Sequence, residues 1–157
     1  MGEKIEFFLH EGQVVGAVDC DGKHGGKSKL GEISFLVVDD LPVHRGLLST
    51  LLRQLFPGAM VDSAGDGMEA SKRIQEHDYS MVLCDWVMPE MDGEKLVRWI
   101  RTDSADKDMP FIMVSSKDDR SEILRAFLDL GIDGYLTKPL SKAGLMSVMA
   151  VLMRPAE

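Results

Sequence analysis

The sequence predicts an α/β fold: a doubly wound, five-stranded parallel sheet in the order 2-1-3-4-5, preceded by a short N-terminal β-type extension. Three observations carry that expectation. From Ile33 onward, apolar runs alternate with segments of helical spacing, the pattern of successive strand–helix units. Phe35–Val38, Met81–Cys84 and Phe111–Val114 are almost continuously apolar, as strands covered by helices on both faces must be. The second run is interrupted by Asp62 and Ser63, and the fifth by Asp133 and Gly134, so both suit the edges of the sheet.

Taken in order, residues 1–32 form the extension. Two β-type runs, Lys4–Leu9 and Gln13–Val18, flank His10-Glu11-Gly12 as a hairpin would, and the Gly/Lys-rich stretch 21–31 reads as a flexible linker. A lone hairpin is marginal, so this one is expected to dock on the main domain or pair with a second chain. The main domain, 33–157, begins with Ile33–Val38. A helix follows with Val43, Leu47, Leu48, Leu51, Leu52 and Leu55 at helical spacing. The remaining strand runs are Ala59–Ala64, Met81–Cys84, Phe111–Val114 and Ile132–Leu136. Asp66 with Glu69, and Asp119 with Glu122, place an acceptor at the N-cap and a carboxylate at N3 of two helices. Pro110 precedes the fourth strand, Gly131 ends the helix before the fifth, and Pro155 stops the last helix near Met153.

Composition narrows the function. The chain has 157 residues, with 45% hydrophobic and 28% charged. Its mean hydropathy is −0.05. These are values of a globular protein with its own core. A net charge of −8 makes nucleic-acid phosphate a poor partner. No apolar run is long enough to span a bilayer, and Glu3, Lys4 and Glu6 do not suit a signal peptide. Cys20 and Cys84 lie far apart without CxxC spacing, which suits a reducing cytoplasm. No GxGxxG or Walker motif follows any strand, which argues against flavin or dinucleotide binding.

In an open parallel sheet, ligands bind beyond the carboxyl ends of the strands where the strand order reverses. The residues there are Asp39 and Asp40 after the first strand, Asp85 after the third, Ser115 after the fourth and Lys138 after the fifth. Each pair of carboxylates ~4 Å apart costs about 1 kcal/mol in water and about 4 kcal/mol at an effective dielectric near 20. A hard cation offsets such repulsion, and oxygen-only ligands point to Mg²⁺, with Mn²⁺ able to substitute. Lys138, a single point charge, neutralises only part of the excess.

Phe35-Leu-Val-Val-Asp-Asp40, Leu83-Cys-Asp-Trp-Val-Met-Pro-Glu-Met-Asp-Gly93, Met113-Val-Ser-Ser116 and Gly134-Tyr-Leu-Thr-Lys-Pro139 together resemble the receiver domains of two-component response regulators, the CheY-like family with its flavodoxin-like sheet. The resemblance covers about Ile33 to Arg154. It implies that Asp85 accepts a phosphoryl group from the phosphohistidine of a sensor histidine kinase or phosphotransfer protein, or from acetyl phosphate. It implies that Asp39, Asp40, Asp85 and the backbone carbonyl of Val87 hold Mg²⁺, and that Ser115 and Lys138 bind phosphoryl oxygens. It also implies a cis Lys138–Pro139 bond and a switch pair, Ser115 and Tyr135. That pair would remodel the fourth helix, fifth strand and fifth helix toward a protein target or a second copy. Leu128, Leu130, Leu140, Leu145, Met146 and Met149 are the expected partner face. Such a protein catalyses only its own phosphorylation and dephosphorylation. Val87 and Lys117 flank the path of an attacking water, and an apolar Val87 predicts slow self-dephosphorylation.

Blander readings exist for each residue. Asp39-Asp40 alone reads as a cap, Asp85-Trp86 as a loop acid beside an aromatic, Ser115 as a cap, Lys138-Pro139 as a turn and Tyr135 as an edge aromatic. His10, Asp19, Cys20, Asp21 and His24 fit no zinc spacing. His44 and His77 read as helix-surface residues, and Asp103, Asp106, Lys107 and Asp108 as a solvated loop. Rival functions are a phosphate-independent scaffold and a phosphoaspartate-type phosphatase. The latter needs Asp-x-Asp, whereas Asp39 and Asp40 are adjacent and followed by Leu41. Neither flank has room for a helix-turn-helix unit, so the receiver is expected to stand alone or to come from a longer protein.

Overall fold

A computed structural model describes residues 5–10, 13–19 and 33–152. The linker 21–31, with Cys20 and His24, and the expected stop at Met153 and Pro155 lie outside the described residues. Two strands, β1 (Ile5–His10) and β2 (Gln13–Asp19), pair antiparallel with a register shift between Phe8 and Leu9. This is the expected hairpin, but both strands end one residue later than expected, with His10 paired to Gln13 rather than in the connection.

The main domain alternates strand and helix throughout. Its elements are β3 (Ser34–Val38), α1 (Pro42–Leu55), β4 (Met60–Ala64), α2 (Gly67–Glu76), β5 (Met81–Asp85), α3 (Gly93–Asp103), β6 (Phe111–Ser115), α4 (Arg120–Arg125), β7 (Gly134–Thr137) and α5 (Lys142–Leu152). All pairings are parallel in the order β4-β3-β5-β6-β7. Counted from β3, this is 2-1-3-4-5, with the interrupted runs β4 and β7 at the edges. β5 and β6 each run one residue beyond the apolar stretch, so Asp85 and Ser115 are their final residues.

Period-2 alternation divides the core between the two faces of the sheet. Leu36, Val38, Val82, Cys84, Phe111 and Met113 face α2, α3 and the π-helical segment Ala126–Leu130 that follows α4. Phe35, Val37, Leu83, Ile112, Val114 and Leu136 face α1 and α5, where Leu48, Leu52, Leu55, Leu145 and Met149 meet them. Each such side chain contributes about 1.5–3 kcal/mol by leaving water.

The helices begin where capping chemistry permits. Asp66 accepts from the Glu69 amide at 2.8 Å, and Asp119 accepts from the Ser121 and Glu122 amides at 2.8 and 3.2 Å. Glu69 returns its bond to the Gly65 amide rather than to Asp66 itself. A third cap escaped the sequence reading: Asp92 accepts from Lys95 at 2.9 Å and starts α3. α4 continues into a π-helical segment, Ala126–Leu130, closed by Gly131 at φ 71°. That left-handed conformation favours glycine over residues with a Cβ.

The expected partner face is corrected by the packing. Leu130, Leu145 and Met149 are buried in the core, because they lie on the stripes with which their helices meet the sheet. Leu140 is partly buried against the same core. Leu128 and Met146 are exposed, together with Leu124 and Phe127, which the sequence reading had not singled out.

Candidate functional site

β3 and β5 are neighbours, and the connections leave them in opposite directions, so the carboxyl ends of these two strands open the crevice of the sheet. Asp39 and Asp40 follow β3, and Asp85 ends β5. One oxygen from each carboxylate lies within 4.8 Å of the others. Asp39 and Asp85 are buried, while Asp40 is partly exposed. Local bonds orient the first of them. The Asp39 amide donates to Ala64, its Oδ1 accepts from the Leu41 amide at 2.9 Å, and its carbonyl accepts from Arg45 at 2.7 Å.

Lys138 enters from the end of β7 across a cis Lys138–Pro139 bond. Its Nζ lies 3.3 Å from Asp39 Oδ2 and 3.4 Å from Asp85 Oδ2. Its backbone amide donates to the Ser115 carbonyl at 2.9 Å, which joins the ends of β6 and β7. Burial pushes the Asp85 carboxyl above its ordinary range and the Asp39 charge pushes it further, while the Lys138 ammonium and the Val87 amide only partly offset both. Three carboxylates against one ammonium leave an excess of negative charge on hard oxygen donors, so this donor set fits Mg²⁺.

α3 begins against Asp85. A Cβ at Gly93 would stand 2.6 Å from the Asp85 carbonyl and 2.8 Å from Met113 Sδ, so only glycine permits this approach. The Gly93 amide donates to Trp86 at 3.0 Å, and Val87, next along the chain, is exposed.

Ser115 is buried, and its Oγ accepts from the Lys117 amide at 3.1 Å. Tyr135 donates its hydroxyl to the Lys117 carbonyl at 2.7 Å, and the Lys117 ammonium lies 4.4 Å above the Trp86 ring. Trp86 and Tyr135 meet edge to face with centroids 6.2 Å apart. Burial pushes the Tyr135 phenol up, so it remains a donor at neutral pH. Asp39, Asp40, Asp85 and Lys138 thus meet at one strand-end crevice, and Ser115, Lys117, Trp86 and Tyr135 form a separate set of contacts.

The sequence reading missed His44. Its Nδ1 lies 3.0 Å from Lys138 Nζ and 3.5 Å from Asp39 Oδ2. A signal was available: His44, Leu48, Leu52 and Leu55 recur at i, i+4, i+8 and i+11, so His44 heads the buried stripe of α1. His77, by contrast, is exposed, as expected.

Comparison with known proteins agrees with this geometry. Residues 35–150 match the response regulator receiver domain family. The chain is 34% identical over 114 residues to the chemotaxis protein CheY-3 of Vibrio cholerae, covering 72% of this chain and 85% of that one. It is 31% identical over 122 residues to CheY1 of Helicobacter pylori, covering 77% and 97%. Among solved structures, V. cholerae CheY4 superposes with a TM-score of 0.70 at 26% identity, covering 77% of this chain and 98% of that one. A Francisella response-regulator receiver domain gives 0.68 at 29%, covering 80% and 100%. The strand order and acidic crevice define a doubly wound fold of the CheY-like type. The chain belongs to the response regulator receiver family.

Proposed function

We propose that this protein is a phosphorylation-switched receiver whose phosphoacceptor is Asp85. The convergence of Asp39, Asp40 and Asp85 with Lys138 at the crevice carries the reading. An Asp85 carboxylate oxygen attacks the phosphorus of a phosphohistidine or of acetyl phosphate. The bond from phosphorus to the leaving nitrogen or oxygen breaks, and the leaving group keeps the electron pair. Lys138 supplies positive charge to the phosphoryl oxygens, and Ser115 a hydroxyl. Asp39, Asp40 and Asp85, with the Val87 carbonyl, would hold Mg²⁺, which would supply positive charge to offset that on the transferring group. The resulting acyl phosphate hydrolyses, so the signal decays.

The output is a change in the α4–β7–α5 face, read by a protein target or a second copy. Leu124, Phe127, Leu128 and Met146 are exposed there, and a cavity of about 390 Å³ opens between Phe127, Tyr135 and Val148. Ser115 and Tyr135 act as the switch pair through the Lys117 loop. The protein catalyses no reaction beyond its own phosphorylation and dephosphorylation. No described helix is long and apolar enough to cross a membrane. With Cys84 a buried free thiol, we read the protein as cytoplasmic.

The test is intact mass after incubation with acetyl phosphate, with and without Mg²⁺, for wild type and Asp85→Ala. One phosphoryl adduct that needs both Mg²⁺ and Asp85 is expected. No adduct, from acetyl phosphate or from a panel of phosphorylated kinases, overturns the reading in favour of a phosphate-independent scaffold.

A further inference from the structure

We propose that His44 is a positioning residue for the Asp85 chemistry, holding the Lys138 ammonium through a bond from Lys138 Nζ to its Nδ1. The inference rests on the receiver reading above. An alkylammonium has three N–H donors and accepts nothing. Lys138 Nζ has three neighbours to receive them: His44 Nδ1 at 3.0 Å, Asp39 Oδ2 at 3.3 Å and Asp85 Oδ2 at 3.4 Å. The shortest of the three goes to the histidine. Because the ammonium can only donate, Nδ1 is the acceptor and the ring proton lies on Nε2. The 3.5 Å separation of Nδ1 from Asp39 Oδ2 is then an acceptor–acceptor approach bridged by the shared ammonium.

Three separate elements thus fix one flexible side chain: the end of β3, the end of β5 and the first turn of α1, where Pro42 sets the helix start two residues before His44. The histidine differs in kind from the other two holders. A neutral imidazole fixes the position of the ammonium without cancelling its charge. When the Asp85 oxygen is committed to phosphorus, Lys138 transfers that donor to a phosphoryl oxygen, and His44 keeps the nitrogen in place during the exchange.

The test compares His44→Leu, which removes the acceptor, with His44→Asn, whose Oδ1 can stand where Nδ1 does. Losing one hydrogen bond to a charged group corresponds to about tenfold or more in rate. His44→Leu is expected to slow phosphorylation by acetyl phosphate about tenfold at saturating Mg²⁺, and His44→Asn to recover most of that loss. In a Lys138→Met background, His44→Leu should add nothing. An independent readout needs neither metal nor phosphate: ¹⁵N imidazole spectra of the metal-free protein should show the Nε2–H tautomer and an Nδ1 resonance displaced by Lys138→Met. Equal losses in the Leu and Asn variants, or a His44→Leu rate equal to wild type, overturn the proposal. So does an Nδ1–H tautomer. If the wild type itself takes no phosphoryl group while the Nδ1 contact is intact in the spectra, the receiver reading fails and the positioning role fails with it, leaving a structural bond.

Discussion

The Tyr135 hydroxyl donates to the Lys117 carbonyl at 2.7 Å, and so ties the edge strand β7 to the loop that leaves β6. Lys117 is held at two further points, its amide on Ser115 Oγ and its ammonium above Trp86, the residue after Asp85. A shift of this one residue is therefore felt at Trp86, the residue after Asp85, and at Tyr135 on the edge strand. Tyr135→Phe removes a single bond and should lower stability by about 0.5–1.5 kcal/mol, read as a lower urea midpoint at unchanged m-value. Lys117→Met should cost about 0.5–1 kcal/mol and alter Trp86 emission, measured in a Trp99→Phe background. Unaltered emission would show that the ammonium does not occupy the ring face in solution.

Asp85 is a destabilising residue in the metal-free protein. Burial raises its carboxyl first and the Asp39 charge adds to this, so the folded state binds the proton more tightly than the unfolded chain does. The contribution of such a group is full below the unfolded value and is lost as pH rises through the folded one. At pH 7, Asp85→Asn should therefore melt higher than wild type in chelator, by roughly 2–4 °C for each kcal/mol relieved. Mg²⁺ should reverse the order. A ligand at a hundredfold excess over its Kd stabilises by about 2.7 kcal/mol, and that gain belongs mainly to the wild type. Scanning calorimetry in EDTA and in Mg²⁺ decides this, and a wild type indifferent to Mg²⁺ would count against the metal site.

The sheet was legible because its central strands are almost fully buried and separate cleanly from amphipathic helices, and because Asp62 and Asp133 mark the edges. The carboxylates were legible because strand ends in this topology share one crevice. What stayed hidden depends on three-dimensional register. Leu130, Leu145 and Met149 lie on helices whose rotation about their own axes decides between core and surface, and apolar composition does not set that rotation. His44 needed the position of Lys138, 94 residues away, before its contact had meaning.

Arg101 was equally hidden, since an arginine in the last turn of α3 reads as a surface charge. Its guanidinium donates to the carbonyls of Gly131, Lys107 and Met109 at 2.7–3.1 Å and pairs with Asp133 Oδ2 at 3.0 Å. Asp133 Oδ2 also accepts the Phe111 amide, so one side chain joins the end of α3, the entry to β6 and the turn before β7. Arg101→Ala removes these bonds, most of them solvent-exposed, and should cost about 1–2 kcal/mol. Arg101→Lys should recover little of it, because an ammonium cannot reproduce the planar fork. Chemical denaturation of the two variants measures both, and a lysine variant as stable as wild type would reduce the fork to a simple charge effect.

We propose that Val87 sets the lifetime of the phosphoryl signal. It lies two residues beyond Asp85 and is 62% exposed, so its isopropyl group does not support the core. A water attacking the acyl phosphate there meets no hydrogen-bonding side chain at this position. Val87→Asn supplies a donor and an acceptor, while its effect on stability stays within about 0.5 kcal/mol because no packed surface is lost. Phosphorylated protein, freed of donor by rapid desalting and followed by loss of the phosphoryl adduct, should decay faster in the variant. Orienting an attacking water corresponds to part of the 10²–10⁴-fold that positioned acid–base groups supply, so roughly tenfold is the expected scale. An unchanged half-life, at equal Mg²⁺ and with the same melting temperature, would place control of the lifetime elsewhere in the crevice, with Lys117 the next residue to test.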